Sequence, residues 1–421
     1  MNDMVEHQDV HKILYICPIS ILGGAEISLV NLLAKLDRNK FYPVVVCPAG
    51  GELPRMLRKT GATVENARFR RFKRNVSVFA IIAHLFAYLF TLARLVRLSR
   101  RYDAQILHAN NTSAQIYAAP VAFLLRRPSV WTVRDMVPLG FIGKVLYRVS
   151  RKIIVPSKAV ETDILQCAAN PGGGNPGTDG SGTCSERQNG RQFSSLSKVI
   201  KIYNGIDIDE WSCSADGHEG RRSCEDVRRE FHVDDVAPLI AMVGQMVPWK
   251  GGRNFLEAAK SLIATTPTAK FLIIGEDLFG EHTDYRDELI RFCRDANIAG
   301  NVIFTGYRED LPRILRAVDL LVLPSTNEPF GRVLIEAMSL EKPVIATNTG
   351  GPCEIVVDGV TGILVPAGDP QALAAGMMRF SKDPQLRERM GRAGRRRVEE
   401  LFDIRDTARN VEELYNKILS K

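Results

Sequence analysis

The stretch that decides the fold reads Glu328-Pro329-Phe330-Gly331-Arg332-Val333-Leu334-Ile335-Glu336, two carboxylates with seven residues between them. Ahead of it runs an apolar, β-prone segment, Leu320-Leu321-Val322-Leu323, closed by Pro324-Ser325-Thr326-Asn327. The order is strand, polar loop, helix. A helix start exposes unpaired backbone N–H groups and carries about half a positive charge, which suits a phosphate. Glu328 falls in the loop before that seat. Glu336 falls about five residues into the helix, roughly 7–8 Å along it at 1.5 Å per residue. Carboxylates accept hydrogen bonds from hydroxyls. Hydroxyl reader, phosphate seat and hydroxyl reader match the hexose, diphosphate and ribose of a nucleotide sugar. Two glutamates flanking an amphipathic helix are also a common surface feature, so the rest of the chain has to decide.

Further out, short apolar runs alternate with helical patterns. Ile13-Leu14-Tyr15-Ile16, Pro43-Val44-Val45-Val46, Ile106-Leu107-His108, Val130-Trp131-Thr132-Val133 and Ile153-Ile154-Val155 read as buried strands. A second set follows: Leu239-Ile240-Ala241-Met242-Val243, Phe271-Leu272-Ile273-Ile274, Val302-Ile303-Phe304, Leu320–Leu323 and Val344-Ile345-Ala346. Such alternation predicts two doubly wound α/β domains with parallel sheets, their ligand crevices at the strand carboxyl ends. Helical patterns over about 371–380, 384–401 and 406–420 close the chain. Between the two sets, residues 168–197 are dense in Gly, Ser, Asn and Pro, including Gly172-Gly173-Gly174-Asn175-Pro176-Gly177. That composition buries too little apolar surface to offset its ordering entropy, so a flexible insertion is expected at about 168–199.

A length of 421 residues accommodates two full cores. Charge is uneven: residues 1–200 carry 27 Lys+Arg against 13 Asp+Glu, and the remainder 29 against 35. The basic half is expected to face something anionic. With no zinc-finger spacing, helix-turn-helix cue or aromatic-basic RNA signature, a phospholipid surface or lipid phosphate fits better than nucleic acid. The eight cysteines form no C-x2-C pair, which argues against zinc. The polar start, Met-Asn-Asp-Met-Val-Glu-His, resembles no export leader, so reduced thiols in a cytosol are expected.

The segment 328–336 resembles the E-x7-E motif of retaining GT-B glycosyltransferases, specifically glycosyltransferase family 4. Phe330-Gly331, Glu336-Ala337-Met338, Lys342-Pro343-Val344-Ile345-Ala346, Gly350-Gly351, Glu354, Gly359, Gly362 and Leu364-Val365-Pro366 continue the likeness in order. Gly23-Gly24-Ala25-Glu26, Tyr203-Asn204-Gly205-Ile206-Asp207, Gly244 and Lys250-Gly251 extend it over most of the chain. The resemblance implies two Rossmann-like domains facing a central cleft. They would run 1–200 on the acceptor side and 201–402 on the nucleotide-sugar side, with a final helix at 403–421 crossing back to the first.

The resemblance also implies roles. Lys250 would meet the leaving diphosphate, a surface-turn lysine being the alternative. The family's basic residue after Gly244 is replaced by Gln245, which hydrogen-bonds phosphate without charge, and Arg332 at the helix start is a candidate substitute. Glu336 would hold the ribose hydroxyls and Glu328 the donor sugar. Phe330, Gly331 and Val333 would line the same seat, and Gly23 and Gly24 would lie against donor phosphate and acceptor. Tyr307 would stack on the nucleobase or simply pack. Where many relatives carry a histidine, this chain has Arg134, which would bind an anionic acceptor or donor phosphate, or else form a structural cap with Asp135. His108 would face the acceptor side, the default alternative being a satisfied buried histidine. Neither metal nor cofactor is expected.

Between Asn75 and Ala93 the only ionisable side chain besides Tyr88 is His84, with Arg70, Arg71, Lys73 and Arg74 before this stretch and Arg94, Arg97, Arg100 and Arg101 after it. An interfacial helix on anionic lipid is expected, against a core helix or a true span. The reading is a cytoplasmic retaining hexosyltransferase, peripheral on the inner face of the cytoplasmic membrane. Its donor would be a UDP-, GDP- or ADP-sugar and its acceptor a glycan or a lipid-linked glycan. A GT-B sugar-nucleotide epimerase and a non-catalytic partner in a glycan assembly complex are the rivals.

Overall fold

The computed structural model describes residues 10–70, 78–136, 140–169, 198–212 and 218–420. Most of the 168–199 insertion and the amino-terminal stretch lie outside the described residues. The chain divides into two compact units. Among the described residues, the first runs to Gly205 and regains the chain at Ile404; the second spans Ile206 to Asp403.

The first unit holds a seven-stranded parallel sheet in the order β3-β2-β1-β4-β5-β6-β7. Its strands are β1 (His11–Ile16), β2 (Phe41–Cys47), β3 (Thr63–Asn66), β4 (Ile106–Ala109), β5 (Ser129–Thr132), β6 (Lys152–Val155) and β7 (Val199–Lys201). The second unit holds six parallel strands in the order β10-β9-β8-β11-β12-β13. They are β8 (Leu239–Val243), β9 (Lys270–Ile274), β10 (Val302–Gly306), β11 (Leu320–Leu323), β12 (Val344–Thr347) and β13 (Ile363–Val365). Both sheets have helices on each face, which is why the central strands are mostly apolar and buried. The three strands the sequence did not single out, β3, β7 and β13, are short sheet edges. They are only three or four residues long and bury less than the central strands, so they give a weaker signal.

Strand order reverses between β1 and β4 in the first sheet and between β8 and β11 in the second. Ligand crevices form at the carboxyl side of such switch points. The loops carrying Gly23-Gly24 and Asn110 flank the first. Those carrying Gly244, Lys250 and Glu328 flank the second.

The Ile404–Leu419 helix packs in the first unit, where Tyr415 meets Phe41 edge-on and hydrogen-bonds Tyr15 at 2.7 Å. Gly205 is the tight point: a Cβ there would stand 2.5 Å from Ile404 Cα. In the second unit the Pro384–Leu401 helix caps three neighbours. Arg387, Arg395 and Arg397 donate to the carbonyls of Phe380, Ser339 and Ile355, each at a helix carboxyl end. Among the described residues Cys17, Cys47, Cys167, Cys224 and Cys293 are free.

Candidate functional site

Of the residues expected on the donor side, all but Gly23 and Gly24 stand at the carboxyl edge of the second sheet. After β8 the chain makes a one-turn 3-10 helix, Pro248–Lys250, ended by Gly251 at φ 78°. A Cβ on Gly251 would stand 2.2 Å from the Pro324 carbonyl oxygen, so glycine alone lets this turn lie on the loop after β11. Thr326 N–H donates to the Trp249 carbonyl at 2.9 Å and fixes the contact. Lys250 is thereby aimed across Gly244 and over the Trp249 ring, 4.4 Å from its centroid. Its Nζ donates to Glu328 Oε2 at 2.7 Å, both side chains being largely buried.

Gly331 takes φ 94° and caps the Arg332–Ser339 helix. The loop before it is backed by two more glycines. A Cβ on Gly350 would lie 2.2 Å from the Glu328 carbonyl oxygen, and one on Gly351 would lie 2.3 Å from Phe330 Cα. Gly351 N–H donates to that same Glu328 carbonyl at 2.8 Å. One turn apart in the helix, Arg332 Nε stands 2.7 Å from Glu336 Oε1. Arg332 Nη1 is buried with no hydrogen-bond partner among the described residues. Burial raises the Glu336 pKa above the ordinary carboxylate value, against the lowering pull of Arg332.

One donor-side expectation changes. The Phe330 ring is buried and meets Phe402 edge-on at 5.9 Å, so this residue offers a ligand its backbone rather than its ring. Tyr307 is exposed, as stacking requires. Its neighbour Arg308, in the presumed base loop, is held by Asp310 (2.8 and 2.9 Å) and by Glu230 (2.6 Å). That clamp shapes the loop after β10, and sequence reading missed it because Glu230 is distant in the chain.

In the first unit, Gly23 precedes the Gly24–Lys35 helix and its N–H donates to Glu26 Oε2 at 3.2 Å. Burial raises the Glu26 pKa, and its Oε1 is buried with no hydrogen-bond partner among the described residues. Arg134 is seated by amide oxygens. Nη2 donates to Asn110 Oδ1 at 3.0 Å, Nη1 to Asn204 Oδ1 at 2.9 Å, and Nε to the Asn110 carbonyl at 3.0 Å. These acceptors fix the guanidinium's direction, and the buried carboxyls of Glu26 and Asp135 lie close enough to feel its charge. His108 is not a group open to ligand. Its ring nitrogens pair with Tyr415 Oη at 2.5 Å and Thr132 Oγ1 at 2.7 Å, and burial, helped by Arg134, pushes its pKa down to about 3. It is the satisfied buried histidine, neutral at any ordinary pH. Among the described residues no group of three His, Cys, Asp or Glu could hold a metal ion.

Family models cover both units. Residues 22–171 match the model described as Glycosyltransferase Family 4, and residues 224–397 that of Glycosyl transferases group 1. The chain belongs to glycosyltransferase family 4. This glycosyltransferase is 27% identical over 355 residues to the Staphylococcus aureus capsular polysaccharide biosynthesis glycosyltransferase CapM, covering 80% of this chain and 83% of that one. It is 32% identical over 158 residues to the Rhizobium meliloti lipopolysaccharide core biosynthesis glycosyltransferase LpsE, covering 38% and 44%. Among solved structures it is similar to Anabaena HepE in complex with UDP-glucose. That match has a TM-score of 0.78 at 25% identity and covers 96% and 99% of the two chains.

Proposed function

We propose that this glycosyltransferase is retaining and metal-independent, and moves a hexose from a nucleoside diphosphate sugar to a glycan or lipid-linked acceptor in polysaccharide or cell-surface glycan assembly. The carrying observation is the pair of buried ion pairs, Lys250–Glu328 and Arg332–Glu336, on either side of one glycine-capped helix start. A buried ion pair is seldom the cheapest way to stabilise a fold. Here each pair places a cation beside the phosphate seat and a carboxylate beside a place for hydroxyls. Arg332, with a buried N–H that lacks a hydrogen-bond partner among the described residues, supplies the charge that Gln245 does not.

In this reading Glu336 accepts the ribose hydroxyls and Glu328 those of the donor hexose. The diphosphate sits on the backbone N–H groups at the helix start, between Lys250 and Arg332, with Gly331 and Val333 lining its seat. Its charge rises as the bond to the anomeric carbon breaks, and fixed cations stabilise that charge most at this moment. The departing phosphate oxygen takes the acceptor hydroxyl proton as the acceptor oxygen bonds to the same face of the carbon, so configuration is retained. Gly23 and Gly24 allow close backbone approach, and Arg134 binds an anionic group of the acceptor. UDP is favoured as the carrier nucleotide on the strength of HepE, a UDP-glucose complex. The enzyme would work in the cytoplasm with a peripheral contact to anionic lipid.

The test is product analysis with UDP-, GDP- and ADP-sugars and a lipid-linked glycan acceptor, with and without a chelator. Release of nucleoside diphosphate and an anomeric configuration matching the donor's are expected, unaffected by chelation. Isomerised donor without acceptor would mean an epimerase. No turnover of any donor would mean a binding partner.

A further inference from the structure

The Val78–Arg101 helix changes character halfway along. From Thr91 onward one face is buried, through Thr91, Leu95 and Leu98. From residue 82 to residue 90 no side chain is buried, although the sequence there is Ile-Ala-His-Leu-Phe-Ala-Tyr-Leu-Phe. Thr91 Oγ1 donates to the carbonyl of Arg68, two residues past the end of β3, at 2.5 Å. Within residues 82–90 Tyr88 turns inward, its hydroxyl donating to the Ile116 carbonyl at 2.9 Å and its ring meeting Tyr117, so the outward face at the carboxyl edge of the first sheet is that of Ile82, Leu85, Phe86, Leu89 and Phe90. Phe86 and Phe90 are 69% and 70% exposed.

A second apolar point stands at the same edge. The Gly140–Val149 helix starts there after β5, with Phe141 80% exposed and Ile142 and Val145 beside it. The Thr112–Leu125 helix packs between the two, which sets them roughly 16–20 Å apart at ordinary interhelical spacings. Arg134 and Asn110 emerge from the strand ends of this same edge. Charge is one-sided: residues 66–160 contain seventeen Lys and Arg but only two acids, Asp103 and Asp135. No acid lies on any of the three helices.

We propose that residues 82–90 and the start of the Gly140–Val149 helix insert side by side into one leaflet of an anionic bilayer. This would set the sheet edge that carries Arg134 against the headgroups, where the acceptor is a lipid-borne phosphate. The inference rests on the peripheral-membrane part of the proposed function and makes it specific. Nine helical residues extend about 13 Å, too short for a hydrocarbon core of about 30 Å but matched to one leaflet. Basic residues without acidic neighbours favour anionic headgroups over a neutral surface.

The experiment uses the full chain with phosphatidylglycerol-containing or pure phosphatidylcholine vesicles. Flotation is compared for wild type, Phe86→Ser/Phe90→Ser and Phe141→Ser/Ile142→Ser. In parallel, Phe86→Trp and Phe141→Trp are exposed to lipids brominated at mid-chain, with wild-type quenching as baseline. All substituted sites are exposed, so folding is expected to be retained, with circular dichroism as the check. The expected result is flotation with phosphatidylglycerol only, extra quenching in both Trp variants, and at least tenfold weaker flotation in each serine pair. Flotation without extra quenching would overturn insertion while leaving surface attachment intact. No flotation with any vesicle would overturn both. A dimer abolished by Phe86→Ser/Phe90→Ser, with no lipid preference, would assign the face to a second copy instead.

Discussion

Lys250 Nζ lies 2.7 Å from Glu328 Oε2. The cation proposed for the leaving diphosphate and the carboxylate proposed for the donor sugar thus neutralise each other in the ligand-free protein. Stranding one member of such a buried pair costs about 3–5 kcal/mol, whereas replacing both with neutral groups costs far less. Lys250→Met should lower urea-unfolding stability by about 3 kcal/mol. Lys250→Met/Glu328→Gln should lower it by less than the sum of the singles. Transfer activity should be lost in Lys250→Met, in Glu328→Gln and in the double variant. Simple additivity in unfolding would show the pair to be uncoupled.

The Glu336 pKa is raised by burial, so its proton is held more tightly in the folded chain than in the unfolded one. Ionising it therefore costs stability, in full above the folded pKa and not at all below the unfolded value. Binding has the opposite sign, because only the carboxylate accepts two ribose hydroxyls. Nucleotide-sugar affinity should fall on acidification, with a midpoint above the ordinary glutamate range. That acid limb should vanish in Glu336→Gln, whose affinity is low at every pH. Titration calorimetry between pH 5 and 8 (roughly the range in which most folded proteins remain stable) reads both effects.

Arg134 donates four hydrogen bonds to three amide oxygens, a pattern a lysine ammonium does not reproduce. Arg134→Lys should fold normally and bind donor as wild type does. Its acceptor KM should rise by about tenfold or more, one charge-assisted hydrogen bond being worth about 1.5–3 kcal/mol. An unchanged acceptor KM would reduce Arg134 to a structural cap.

Gly350 and Gly359 have similar positive φ, 70° and 73°, but different surroundings. A Cβ on Gly350 would meet the Glu328 carbonyl oxygen, whereas one on Gly359 would meet nothing within 4 Å. Gly359→Ala should cost only the backbone strain, on the order of 1 kcal/mol. Gly350→Ala should cost more and also displace Glu328, weakening donor binding. Thermal unfolding with and without nucleotide separates the two effects.

The two-sheet architecture was readable because buried parallel strands are unbroken apolar runs, as in Leu320–Leu323. Edge strands such as Thr63–Asn66 are short and polar, and gave no such signal. The glycine-rich turns were visible, but why they are glycine was not. That depends on contacts between loops distant in sequence, as where Gly350 and Gly351 back Glu328 and Phe330. Lys250 and Glu328 were each legible as candidates, but their pairing across 78 residues was not. His108 misled because a polar residue at a strand end looks the same in sequence whether it faces a crevice or, as here, Tyr415 near the far terminus.

The most direct measurement is titration calorimetry of UDP-, GDP- and ADP-sugars against wild type and Glu336→Ala. The account predicts that sugars of one nucleotide bind the wild type and that this binding disappears in the variant, which remains folded. No binding to wild type, or undiminished binding to Glu336→Ala, would contradict a donor seat built around the Arg332–Ser339 helix.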